Sequence, residues 1–97
     1  MRKNMFLLPI GTIVKLKKNE EEIMIVGYFV AKKNKIGLYA GVIYPQGIID
    51  FDEYIIFNNS DLDKVKFEGY KDANYFSFEE AARKMRDSLV KGEKNNE

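Results

Sequence analysis

Three consecutive apolar runs joined by short polar turns constrain this chain more than any other feature. The middle one is Ile36-Gly37-Leu38-Tyr39-Ala40-Gly41-Val42-Ile43-Tyr44-Pro45-Gln46-Gly47. Its residues are mostly β-branched, aromatic or glycine, which suits a pleated strand and suits a helix poorly. Pro45 has no N–H for a sheet ladder and fixes its own φ, so the strand should stop at Tyr44. Gly47, two residues on, is placed to supply a positive φ in the turn that follows.

The neighbouring runs extend the pattern. Leu8-Pro9-Ile10-Gly11 turns the chain into a first strand over 12–17, where Val14 and Leu16 alternate with Lys15 and Lys17. The run over 22–31 is apolar at nearly every position, as in a strand covered on both faces or wrapped around a barrel. Gly27 in its middle is the expected place for a bulge or bend. Lys32-Lys33-Asn34-Lys35 is a short connection with Asn34 the candidate for a left-handed turn position. Tyr54-Ile55-Ile56-Phe57 reads as a short fourth strand. Ser60 is placed to cap one turn of helix, and Lys64-Val65-Lys66-Phe67-Glu68 alternates as a fifth strand.

The last element is a helix over 77–91. Ser77 and Glu80 form a capping-box pattern, and Phe78, Ala81, Ala82, Met85 and Leu89 fall on one face. Glu79–Arg83 and Glu80–Lys84 are acid-first i,i+4 pairs assigned to the other face. An amphipathic helix of this length is marginal alone, so its stripe should dock on the sheet or on a second chain. Gly92 is expected to end it, leaving 92–97 as a disordered tail after one domain over 1–91. The fold class is therefore α+β, mostly β: a five-stranded, strongly bent antiparallel sheet or a small SH3-like barrel, with a C-terminal helix. Chain order does not separate the two.

Ninety-seven residues leave room for one domain's worth of core, and the chain is too apolar for disorder. It has no cysteine and no histidine, which excludes disulfides, thiolate metal sites and imidazole chemistry. The first ten residues carry an apolar segment too short for a signal peptide, so the chain is expected to begin at Met1 and to stay in the cytoplasm. No run is long enough for a membrane span. The net charge of +1 sets up no global field, but residues 1–40 hold eight Lys/Arg against three acids, and the remainder eight against twelve.

Chemistry-bearing patterns are few. Asp50/Asp52/Glu53 lacks the glycine and distal Glu of a calcium loop, and Asp61/Asp63 is better read as helix-start chemistry. No phosphate loop and no nucleophile–base pair is visible, so no cofactor, metal or enzymatic activity is expected. The aromatic residues stand out instead. Six Tyr and seven Phe exceed what one small core readily buries. Tyrosine tolerates a rim position and favours interfaces. Tyr39, Tyr44, Tyr54 and Tyr70, with Pro45, Gln46 and Gly47, are accordingly the candidate partner-binding residues. Protein binding is favoured over base stacking, because the lysines cluster in the first half while Tyr44, Tyr54 and Tyr70 lie among acids.

Five pieces occur together in order: Leu8-Pro9-Ile10-Gly11-Thr12-Ile13-Val14-Lys15-Leu16; Ile25-Val26-Gly27-Tyr28; Tyr44-Pro45-Gln46-Gly47; Phe57-Asn58; and Asp61-Leu62-Asp63-Lys64-Val65-Lys66-Phe67-Glu68-Gly69-Tyr70. This resembles a family of small Gram-positive bacterial proteins that carries only a domain-of-unknown-function label. That family is often encoded beside type VII (Esx) secretion loci and LXG-type toxins. The resemblance covers about residues 8–72 and leaves the helix outside. In that family the position after Tyr-Pro is commonly acidic, and Gln46 departs from it. The resemblance implies a non-enzymatic chaperone or targeting adaptor that binds an LXG effector, or its helical accessory proteins, before export. A homo-oligomer through a strand edge or the helix, and a nucleic-acid-binding small barrel, are the alternatives.

Overall fold

The computed structural model describes residues 6–50 and 53–95. Each apolar run becomes a strand: β1 (Ile13–Leu16), β2 (Glu22–Lys32), β3 (Lys35–Tyr44), β4 (Ile55–Phe57) and β5 (Leu62–Phe67), followed by helix α1 (Ala73–Asn95). The strands form one antiparallel sheet in the order β4-β3-β2-β1-β5. The order is open at β4 and β5, so the bent sheet is formed and the closed SH3-like barrel is not. By its internal contacts the chain divides into two compact units, Leu8–Tyr70, and Met1–Leu7 with Lys71–Glu97.

Within the Leu8–Tyr70 unit the sheet core follows from cross-strand rows. Ile13 and Val14 pair with Met24 and Ile23, and Ile23 with Ile43. Val14, Ile23 and Ile25 are fully buried, and each contributes about 1.5–3 kcal/mol. A second row is aromatic: Tyr28 pairs with Tyr39, and Tyr39 with Phe57. Their ring centroids are 6.0 and 5.2 Å apart, the tilted spacing that aromatic pairs prefer.

The bends come from irregularities. Ile25 pairs with Gly41 but Gly27 with Ala40, so Val26 is the extra residue of a bulge beside the glycine singled out above. Phe29 takes a positive φ of 52°. The β2–β3 turn is tighter than expected: Lys32 pairs with Lys35, leaving two central residues. Lys33 (φ 55°), and not Asn34, takes the positive φ, at the first of the two central positions, where two-residue hairpin turns ask for one.

The segment before β1 is tied down by hydrogen bonds invisible to periodicity. Leu8 N–H donates to Tyr39 Oη (3.0 Å), and the Tyr28 hydroxyl donates to the Leu8 carbonyl. Gly11 N–H reaches the Ile25 carbonyl at 2.9 Å. Gly69 N–H donates to the buried Thr12 Oγ1 (3.0 Å). A Cβ at Gly69 would come within 2.3 Å of the Ile10 carbonyl oxygen, so only glycine fits there. The short helical turn (Asn59–Asp61) is capped by Asn58 and not by Ser60, and the Asp61 carboxylate accepts from Asn58 N–H at 2.9 Å.

The other unit corrects the helix. Asp72 is the N-cap, its Oδ1 accepting from Tyr75 N–H at 2.9 Å, so α1 starts a turn before Ser77. It runs through Gly92 to Asn95, since an internal glycine costs a helix only about 1 kcal/mol and does not forbid it. Residues 92–95 of the expected tail are thus helical, and 96–97 lie outside the described residues. The expected apolar stripe is not the buried face: Phe78, Ala81 and Met85 are exposed, whereas Ala82 and Glu79 are buried. The side chain of Leu89 lies outside the described residues. Glu79 is turned inward because its Oε2 accepts from Phe6 N–H and from Arg83, both at 2.7 Å. The Tyr75 hydroxyl donates to the Leu7 carbonyl, and the Arg86 guanidinium stacks 4.3 Å from the centre of the Phe6 ring. Glu80–Lys84, at 3.7 Å, is the solvent-facing pair.

Candidate binding surface

β3 ends at Tyr44, since Pro45 has no N–H for the ladder; the Tyr44–Pro45 peptide bond is cis. Gly47 (φ 77°) closes the turn by donating its N–H to the Ile43 carbonyl at 2.8 Å. This leaves the Tyr44 ring half exposed on the row that starts with Glu22 of β2. The next row runs from Met24 to Ile13 to Phe67. Between them lies an open groove of about 530 Å³, lined by Gly11, Ile13, Glu22, Met24, Tyr44, Lys66 and Phe67. Ile13 and Met24 supply apolar floor, Tyr44 and Phe67 aromatic walls. The polar residues of the groove are matched: Lys66 Nζ lies 3.4 Å from Glu22 Oε2. Exposed aromatics around such a floor suit contact with an apolar surface.

Phe67 was not among the candidates, which were chosen as tyrosines able to hold a rim position, and strict alternation over 64–68 puts it on the same face as Val65. The register shows otherwise. Val65 pairs with Val14 but Phe67 with Ile13, so Lys66 is the extra residue of a bulge. Ile13 and Val14 point to opposite faces, and the bulge carries Phe67, 62% exposed, onto the groove face. No glycine marks that bulge, so no local signal announced it.

The other candidates separate. Tyr39 is not a rim residue: it is fully buried at mid-strand. There its hydroxyl accepts from Leu8 N–H and donates to Asn59 Oδ1 at 2.7 Å. Its mid-strand place in the aromatic row, between Tyr28 and Phe57, explains this. Pro45 and Gln46 are exposed beside Tyr44. Tyr70, 80% exposed, follows Gly69, whose backbone packs on Ile10 and Gly11. Tyr54 lies elsewhere, half buried beside Lys33 and Lys35 at the β4 edge. Of the acidic clusters, Asp61 is engaged by Asn58, and Asp63 lies 3.9 Å from Lys15. Asp52 lies outside the described residues. Among the described residues no three acids gather as metal ligands, and no helix is long and apolar enough to cross a membrane.

The architecture is that of a small, mostly β protein: an open five-stranded sheet followed by one helix. Residues 7–78 match the family described as "Domain of unknown function (DUF4176)", and the chain belongs to that family. The match spans the whole sheet and continues into the second turn of α1, further than the resemblance over 8–72. No curated protein and no solved structure matches the chain.

Proposed function

We propose that this protein is a non-enzymatic accessory factor that binds another protein, a cytoplasmic chaperone or targeting adaptor for an LXG-type effector of type VII secretion. The observation that carries the binding role is the groove, where Tyr44 and Phe67 stand exposed over Ile13 and Met24. An apolar face of a helical partner laid there would bury both rings. The choice of effector rests on the resemblance of the motifs between Leu8 and Tyr70. The test is co-purification of an LXG effector encoded beside the gene with wild type, Tyr44→Ala and Tyr70→Ala. Both variants are expected to keep the wild-type melting temperature and to lose the effector. A well-folded Tyr44→Ala that still captures it would sink the groove as the surface.

The alternative, a nucleic-acid-binding protein, draws support from Lys33 and Lys35 beside Tyr54. It requires salt-dependent binding of a mixed oligonucleotide, and absence of binding at low salt removes it.

A further inference from the structure

The β2–β3 ribbon outruns the rest of the sheet. β1 follows β2 only as far as Met24 and β4 follows β3 only as far as Tyr39, so over residues 30–37 the two strands of the ribbon pair with each other alone. One side of this tip turns toward β4. Gly37 is buried, a Cβ there would come within 2.2 Å of Ile56 Cγ2, and Lys33 and Lys35 stand beside Tyr54, Ile55 and Ile56.

The other side is left to water, and it is apolar. Ala31 pairs with Ile36, one step out of phase with the pair Val30 and Gly37, so both point away from β4. Ile36 is 77% exposed, Phe29 46% and the bulged Val26 41%, and Ala31 is exposed with them. A solvated strand face ordinarily carries polar side chains instead. Phe29 also holds its φ of 52°, which a bulky residue adopts only under strain, and such strain gathers where a side chain has a task. The turn that closes the ribbon reads Lys32-Lys33-Asn34-Lys35, in the half of the chain with the positive excess. Among the described residues neither Lys33 nor Lys35 makes an ion pair.

We infer that the tip of the β2–β3 ribbon is a docking site for an anionic lipid surface. Phe29 and Ile36 enter the boundary between headgroups and acyl chains, and Lys33 and Lys35 meet the lipid phosphates. A bilayer yields around a projecting tip, whereas a protein partner would need a pocket shaped to receive it. A nucleic acid would meet the lysines but leave Ile36 in water. With two inserted side chains and two cations the contact is weak and reversible. None of these residues lines the groove, so the site does not rest on the effector reading.

The test is co-sedimentation of the full-length protein with phosphatidylcholine vesicles, with and without phosphatidylglycerol. Binding is expected to the phosphatidylglycerol vesicles alone, and should weaken as salt is raised. Lys33→Gln/Lys35→Gln should lower the partition coefficient by roughly tenfold or more. Ile36→Asp should abolish binding, while Ile49→Asp, at a similarly exposed isoleucine outside the ribbon, should bind as wild type. All three variants should keep the wild-type melting temperature. No binding to phosphatidylglycerol vesicles, or equal binding to both kinds, would overturn the assignment. So would an Ile36→Asp variant that sediments like wild type, or an equal loss in Ile49→Asp. Dimers of the lipid-free protein that Ile36→Asp dissolves would give the tip to a second copy and overturn it too. An unchanged partition coefficient in the double variant would overturn the role of the lysines.

Discussion

Tyr39 and Tyr44 show how one residue type serves two purposes five positions apart. Both stand on β3. Tyr39 is buried, and its hydroxyl joins the Leu8 backbone to Asn59. Tyr44 ends the strand and faces water. Removing the first hydroxyl leaves the buried Leu8 N–H without this acceptor, a loss of about 1–3 kcal/mol. Tyr39→Phe is therefore expected to lower the unfolding free energy by that amount in urea titration. Tyr44→Phe, changed at an exposed position, should stay within about 0.5 kcal/mol of wild type. Equal effects would mean that the buried network contributes nothing. The sequence showed a tyrosine excess; burial assigned each ring its task.

At the scale of elements, α1 and the Phe6-Leu7 segment are held together by a carboxylate. Burial pushes the Glu79 carboxyl upward, but the Arg83 hydrogen bond, the Phe6 N–H, the Arg83 charge and the Leu7 backbone outweigh it. Together they hold the carboxyl below its ordinary value of 4.5. A carboxylate depressed in the folded state stabilises the protein above its unfolded value, and that contribution is lost as pH falls through the folded value. Stability measured by urea titration should thus decline below pH 4.5 more steeply in wild type than in Glu79→Gln. Parallel acid limbs would show that Glu79 is not coupled to folding. The i,i+4 pair with Arg83 was legible in the sequence. Its turn inward was not, because the third partner, Phe6 N–H, lies 73 positions away. The helix start moved for a local reason: Asp72 accepts from Tyr75 N–H three residues on, and the capping-box spacing at Ser77 and Glu80 falls inside the helix that this cap begins.

At the scale of the whole molecule, the open order β4-β3-β2-β1-β5 has a measurable signature. Residues 23–25 of β2 and 39–41 of β3 are flanked by strands or hydrogen-bonded backbone on both sides, so their amides should exchange slowest with solvent. β4 and β5, each paired on one side only, should exchange faster. Uniform protection across all five strands would instead indicate a closed barrel.

The number of strands, their order along the chain, the stop at Tyr44 and the positive φ at Gly47 were all written in local chemistry, since side-chain period and turn stereochemistry act over a few residues. The register was not. A bulge at Lys66 moved Phe67 to the groove face, and the curl of the β2–β3 ribbon brought Lys33 and Lys35 over β4. Both depend on how neighbouring strands twist and pair, a balance struck between segments far apart in the chain, which no stretch of it encodes alone.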